Sequence, residues 1–237
     1  MRDFVIFKTI LEKGCIFSRI MGLHNCVENS VENVKNCLHT SMNAMKMPER
    51  NRRISCKTVF QPKMIPMKRC DMLKIIRSLK ELDFAPLMQI YEEGNRENGA
   101  ERYPQLPENQ QLLCAEQDFY AFLREFFREP EAFYAIWIKN GVQTAALRME
   151  PYRDGLLLEA LETMPDHRRR GYARALINET KELLRSRGGC KIYSHVHKKN
   201  KASLAVHEAC GFQRILEHAV YINGNVNQYC CTMECCL

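Results

Sequence analysis

The sequence predicts a mixed α/β fold: one mostly antiparallel sheet of about seven strands, flanked by about four helices, in the order β-α-α-β-β-β-α-β-α-β-β. Three observations carry this prediction. Short β-rich runs alternate with stretches of helical apolar spacing, the pair Asn140–Gly141 marks a tight hairpin, and the texture of the chain changes sharply at Met72.

MLKIIR, from Met72, is the first strand. SLKELDFAPLMQIYEE follows as a helix with Ser78 as N-cap and Glu81 completing a capping box; Leu79, Leu82, Leu87, Ile90 and Tyr91 form its apolar face. A polar stretch with Pro104 and Pro107 precedes a second helix, where Phe119, Phe122, Leu123, Phe126 and Phe127 repeat the helical period until Pro130 ends it. Two strands surround Asn140–Gly141, and LLLEALETM after the turn PYRDG adds a third. The next helix buries Ala173, Leu176, Ile177, Thr180 and Leu184 and stops at Gly188–Gly189. CKIYSHVH is a strand, NKASLAVHEACG a short helix, and the remainder a final hairpin turning near Asn223–Gly224.

Composition bounds the function. With 46% hydrophobic and 27% charged residues, and no apolar run long enough to span a bilayer, the chain has the composition of an ordinary soluble protein. Its net charge of +7 lies wholly in residues 1–68, which hold 12 Lys and Arg against 5 Asp and Glu; the rest is balanced at 23 each. A nucleic-acid footprint is therefore not expected in the main domain. Twelve cysteines without a secretory pattern at the start are expected as free thiols in the cytoplasm. Residues 1–70 form a basic, poorly patterned extension, read as the product of an upstream start in preference to a partly disordered arm that binds a partner or polyanion; residues 71–237 form the folded domain.

The segment PDHRRRGYARALINE, Pro165 to Glu179, sits between a strand and a helix. A glycine-containing loop running straight into a helix presents unpaired N–H groups and the positive end of the helix dipole, which together favour an anion. Gly171 allows close approach, Ala173 keeps the first turn uncrowded, and Arg168 and Arg170 add charge-assisted bonds to phosphate oxygens. A solvated charge run is the competing reading of this segment taken alone.

RRRGYA, with Arg168, Gly171 and Ala173 at the fixed positions, resembles the acetyl-CoA motif of the GNAT superfamily of N-acetyltransferases, and NKASLAVHEACGF resembles its second cofactor segment through Asn200, Ser203, Gly211 and Phe212. The resemblance spans Met72 to about Cys235. It implies that Arg168, Arg169, Arg170, Gly171, Tyr172, Ala173 and Arg174 hold the pyrophosphate of acetyl-CoA, and that main-chain groups of about Glu162, Thr163 and Met164, on a splayed fourth strand, pair with its pantetheine arm. Asn200, Ser203 and His207 fall on one helical stripe expected to face the cofactor, with Ala202, Ala205, Val206 and Ala209 on the packed side.

The resemblance also implies an enzyme that acetylates a primary amine by direct attack in a ternary complex. Glu162 is the favoured group to take the amine proton and Glu159 the second; three positions apart, they share a face only if a bulge shifts the strand. The family's usual tyrosine acid is replaced by His207, which leaves open a proton-donating, a hydrogen-bonding and a structural role, and with them a non-catalytic CoA-binding module. The acceptor, a small molecule or peptide, is expected between the segment Glu92–Gln111, rich in glutamate, and the hairpin Tyr221–Gln228. Homodimerisation is left open. No metal is expected: His195 and His197 lack matching ligands, His24–Cys26 and Cys37–His39 match no finger spacing, and the terminal CCTMECC is read mainly as small apolar packing.

Overall fold

The computed structural model describes residues 71–189 and 191–237. The leader, including His24–Cys26 and Cys37–His39, lies outside the described residues, as does Cys190. In chain order the elements are β1 (Met72–Ile76), a 3-10 turn (Leu79–Glu81), α1 (Phe84–Ile90), α2 (Glu92–Arg102), α3 (Glu108–Phe126), β2 (Phe133–Lys139), β3 (Val142–Tyr152), β4 (Gly155–Thr163), a second 3-10 turn (Pro165–His167), α4 (Tyr172–Ser186), β5 (Lys191–His197), α5 (Lys201–Ala209), β6 (Gln213–Leu216), β7 (Ala219–Val220), β8 (Val226–Asn227) and β9 (Cys230–Cys236). Seven strands form one sheet in the order β1-β2-β3-β4-β5-β9-β6. Every pairing in it is antiparallel except β4 with β5.

The sheet has a helical layer on each face. Along β2, Phe133, Ala135 and Trp137 pack toward α4, while Tyr134 and Ile136 pack toward α1 and α3, the alternation a two-sided sheet requires. Leu176 and Ile177 of α4 are fully buried, so truncating either to alanine would cost about 2–5 kcal/mol. These contacts hold the start of α4 against the sheet.

Two departures from the sequence reading have physical causes. Ser78 Oγ and the Arg77 amide do reach the Glu81 carboxylate, at 2.8 and 3.2 Å, yet they close only a 3-10 turn. Pro86 has no N–H to donate one turn back, so α1 begins afresh at Phe84 and takes Pro86 into its first turn, where no donor is needed. The Glu92–Gln111 segment, expected as a connector, contains α2 and the start of α3. α2 has almost no apolar stripe to announce it, and tertiary approach holds it instead. A Cβ on Gly99 would lie 2.5 Å from the Gln111 carbonyl oxygen, so glycine alone lets the two helices come this close.

The final segment is also more elaborate than a hairpin. The turn at Asn223–Gly224 is present, with Gly224 at φ 84°, but it joins only the two-residue strands β7 and β8. The long strands on either side, β6 and β9, both join the main sheet. Cys231 and Cys235 of β9 point into the core under α4, Cys230 packs with Ala219 and Tyr221, and Cys236 is exposed; all four are free thiols.

His195 on β5 lies edge-on between Tyr152 and Tyr221, each ring centroid 5.3 Å away. Burial pushes its pKa down to about 4. An unfolded chain binds a proton here below about pH 6.5, whereas the folded chain stays neutral until about its own lower value, so the stability is whole above pH 6.5 and is lost as pH falls toward 4. Denaturant unfolding at pH 7.5 and pH 5 will differ by about 2 kcal/mol through this group, and His195→Phe will remove that part of the difference.

Candidate active site

β4 and β5 pair only where Leu156–Leu158 meet Ile192–Ser194, and beyond that point no pairing joins them. Just past it, β4 carries a bulge. Ala146 faces Glu162 and Arg148 faces Glu159, so two steps of β3 match three of β4, and Ala160 takes φ 52°. A left-handed alanine costs on the order of 1 kcal/mol, and the Tyr91 hydroxyl holds it there by donating to the Ala160 carbonyl at 2.6 Å. The bulge reverses the alternation, bringing Glu159 and Glu162 opposite two residues that share a face of β3.

Their surroundings separate them. Glu159 accepts from Arg148 Nη2 at 2.5 Å, with Arg148 fully buried, the Glu159 side chain 6% exposed, and the guanidinium 4.6 Å above the Phe122 ring. Glu162 lines an open cleft; its Oε1 accepts from Arg168 Nη2 at 3.1 Å and from the Thr163 amide at 3.0 Å. Arg168 also bonds Glu93 of α2 at 2.7 Å and the Thr163 carbonyl at 3.1 Å. Its guanidinium, expected on phosphate, lies at the cleft and spans β4, the loop and α2.

The loop itself is shaped by backbone. Arg169 and Gly171 take φ 59° and 82°, and no side chain caps α4. Among the described residues, no acceptor meets the N–H groups of Arg169 through Arg174; the first return bond is Ala175 to Gly171. Successive free amides bent by left-handed residues make a concave anion cradle at the positive end of the helix. Open space surrounds the position a Cβ would occupy on Gly171, so glycine is needed there for its dihedral angle and not for room.

The cleft, about 1070 Å³, runs from Leu161, Glu162 and Thr163 along this loop to α5. Of the expected cofactor residues, Thr163, Arg168, Arg169, Gly171, Tyr172, Ala173, Arg174, Asn200 and Ser203 line it. Met164 and Arg170 do not. The Met164 amide donates to the Thr144 carbonyl at 2.9 Å, turned toward β3, and its side chain packs in the core beneath α1 and α3; Arg170 is exposed outside the cleft.

α5 brings Asn200 and Ser203 of the expected stripe to the cleft, together with the small-residue face expected to pack away from it. Ala202, Ala205, Val206 and Ala209 line the cleft, while His207 is 1% exposed and lies edge-on to Phe212. The small residues give a long ligand room to lie flat. His207 Nδ1 is 2.8 Å from the Ser203 carbonyl, which can only accept, so Nδ1 carries the proton and Nε2 a lone pair. Burial lowers its pKa, against the backbone bond to Ser203, which raises it. Nε2 meets no hydrogen-bond partner among the described residues. His207 lies outside the cleft lining and packs on Phe212.

Lys199, Lys201, His167 and His197 also line the cleft, unanticipated from sequence. Among the described residues, no group of three or more His, Cys, Asp or Glu is placed to hold a metal ion, and no helix is long and apolar enough to cross a membrane.

The model of the acetyltransferase (GNAT) family matches residues 87–212, just over half of the chain. The chain belongs to this family of acetyltransferases. An acetyltransferase from Streptococcus agalactiae 2603 is similar in fold, with a TM-score of 0.50 and 18% identity over 70% of this chain and 98% of that one. The PaiA N-acetyltransferase of Thermoplasma acidophilum in complex with coenzyme A gives 0.49 and 13% over 70% and 99%; the ribosomal-protein-S18-alanine N-acetyltransferase of Escherichia coli gives 0.45 and 21% over 70% and 94%. No curated protein matches significantly. As a GNAT acetyltransferase the chain is an acyltransferase, and its cleft joins a concavity of free amides, a strand edge and a wall of small side chains.

In this acetyltransferase, replacing Glu159 alone leaves the buried Arg148 without its ion-pair partner. Glu159→Gln will lower unfolding free energy by about 3–5 kcal/mol, and the paired change Arg148→Met with Glu159→Leu will recover most of it in chemical denaturation.

Proposed function

We propose that this acetyltransferase transfers the acetyl group of acetyl-CoA to a primary amine by direct attack within a ternary complex. The uncapped, left-handed cradle of Arg169–Arg174 beside the parted strands β4 and β5 is the observation that carries the reading. In it, the loop amides hold the pyrophosphate, the pantetheine arm lies along Leu161–Thr163 against the small residues of α5, and the thioester comes to rest near the bulge. Acetyl-CoA supplies the activated acetyl group; the protein orients it and manages the proton.

Glu162 is the base. It lies on the cleft, whereas Glu159 is tied into the core by Arg148. Together with Glu93 it leaves more negative than positive charge around Arg168, which suits an acceptor arriving as an ammonium ion and losing its proton as the N–C bond forms. The thiolate leaving group, with an ordinary pKa near 8.5, needs no strong acid, and the burial of His207 is compatible with turnover. Proximity supplies much of the rate.

The test is thiol release from acetyl-CoA across a panel of primary amines that includes polyamines and peptide N-termini; release with none of them would overturn the proposal. Gly171→Glu places a carboxylate in the cradle and strains the backbone, and titration calorimetry will show CoA binding abolished while circular dichroism stays unchanged. Glu162→Gln will lower kcat on the accepted amine by about a hundredfold with CoA affinity kept within about threefold of wild type, because its contacts lie at the acetyl end.

A further inference from the structure

Charge is sorted along the cleft. At the β4 end, Arg168 is matched by Glu162 and Glu93. Toward α5, Arg169, Arg174, Lys199 and Lys201 line the same cleft and form no ion pair among the described residues. Their neighbours do pair: Lys198 meets Glu217 at 3.6 Å, Lys191 meets Asp154 at 2.9 Å, and Arg185 meets Glu182. Four cations gathered on one concavity, with no ion pair among the described residues, repel one another, so the arrangement is relieved by a polyanion.

The two walls differ in what they offer. The α4 wall presents backbone amides, which suit the bridging pyrophosphate. The α5 wall has its first turn partly closed, because Asn200 Oδ1 accepts from the Ser203 amide at 2.9 Å. What that wall adds is therefore the exposed ammonium groups of Lys199 and Lys201, mobile point charges that can gather round a terminal phosphate monoester without a fixed geometry. Coenzyme A carries such a group, doubly charged near neutral pH, in addition to its pyrophosphate.

We infer that Lys199 and Lys201 of the β5–α5 turn, with Arg174 across the cleft, bind the 3′-phosphate of coenzyme A and make the enzyme discriminate against dephospho-coenzyme A. This rests on the acetyl-CoA reading of the cleft and adds a specificity to it. The pyrophosphate cradle alone would accept both molecules, and the lysine pair separates them.

Titration calorimetry on the full chain at fixed ionic strength tests the assignment with coenzyme A, dephospho-coenzyme A and adenosine 3′,5′-bisphosphate as titrants. Wild type is expected to bind coenzyme A at least about tenfold more tightly than the dephospho form, the scale of one or two charge-assisted bonds. The double variant Lys199→Ala with Lys201→Ala is expected to lose that discrimination, weakening coenzyme A and the bisphosphate about tenfold while leaving dephospho-coenzyme A within twofold. Lys199→Arg with Lys201→Arg will keep the preference. Equal binding of both coenzymes by wild type, or a variant that weakens both equally, would overturn the inference and leave the acetyl-CoA reading standing. Wild type that binds neither would overturn both.

Discussion

The buried pair Arg148–Glu159 is the interaction on which the active end of the molecule depends. It joins β3 to β4 at the last residue before the bulge, with no route to solvent for the guanidinium and an aromatic ring closing one side of it. A charge pair in that position gains little over an apolar pair in net stability, but it tolerates only one register, because a slip by one residue would bury both charges without partners. The strained alanine that follows is then over-determined: the ion pair fixes the strand before it, Tyr91 holds its carbonyl, and the Met164 amide re-enters the ladder with β3 after it. Tyr91 stands at the junction of α1 and α2, so the bulge also ties the helical layer on one face to the strand that opens the cleft on the other.

From the bulge the geometry propagates along the chain. Glu162 is turned toward the cleft, Arg168 folds back to meet it, and with that side chain engaged the loop is left with its backbone amides and the Arg169 side chain to offer a ligand. The amides of Arg169–Arg174 are aimed by α4, and α4 is aimed by Leu176 and Ile177 pressed into the sheet. Left-handed backbone at Arg169 and an uncapped helix start both cost stability, and both are kept where an anion would offset the cost on binding. Local instability at the loop and rigidity at its two anchors are thus one design.

Much of this was legible in the sequence, and for identifiable reasons. Asn140–Gly141 and the apolar period of α4 are local signals that tertiary structure reinforces, so they appear where expected. The RRRGYA segment was legible because a positive φ at a strand-to-helix turn restricts the residue type. α2 was not, because a helix held by a glycine contact with its neighbour needs no apolar stripe. The β7–β8 pair was not, because a tight turn signals that two strands meet and says nothing of how long they run together.

The orientation of α5 is the most instructive difference. Helical spacing separates its two faces, and both reach the cleft, Asn200 and Ser203 from the polar stripe beside the small residues of the other. For a cleft that must hold a flat, flexible chain, the useful wall is one of small side chains, and Ala202, Ala205 and Ala209 supply it. A histidine on the other face is no contradiction once its Nδ1 proton is satisfied by the Ser203 carbonyl within the same helix, since the residual desolvation then falls on one nitrogen of a neutral ring. The imidazole turned inward packs edge-on to Phe212, while Glu162 is the carboxylate that lines the cleft.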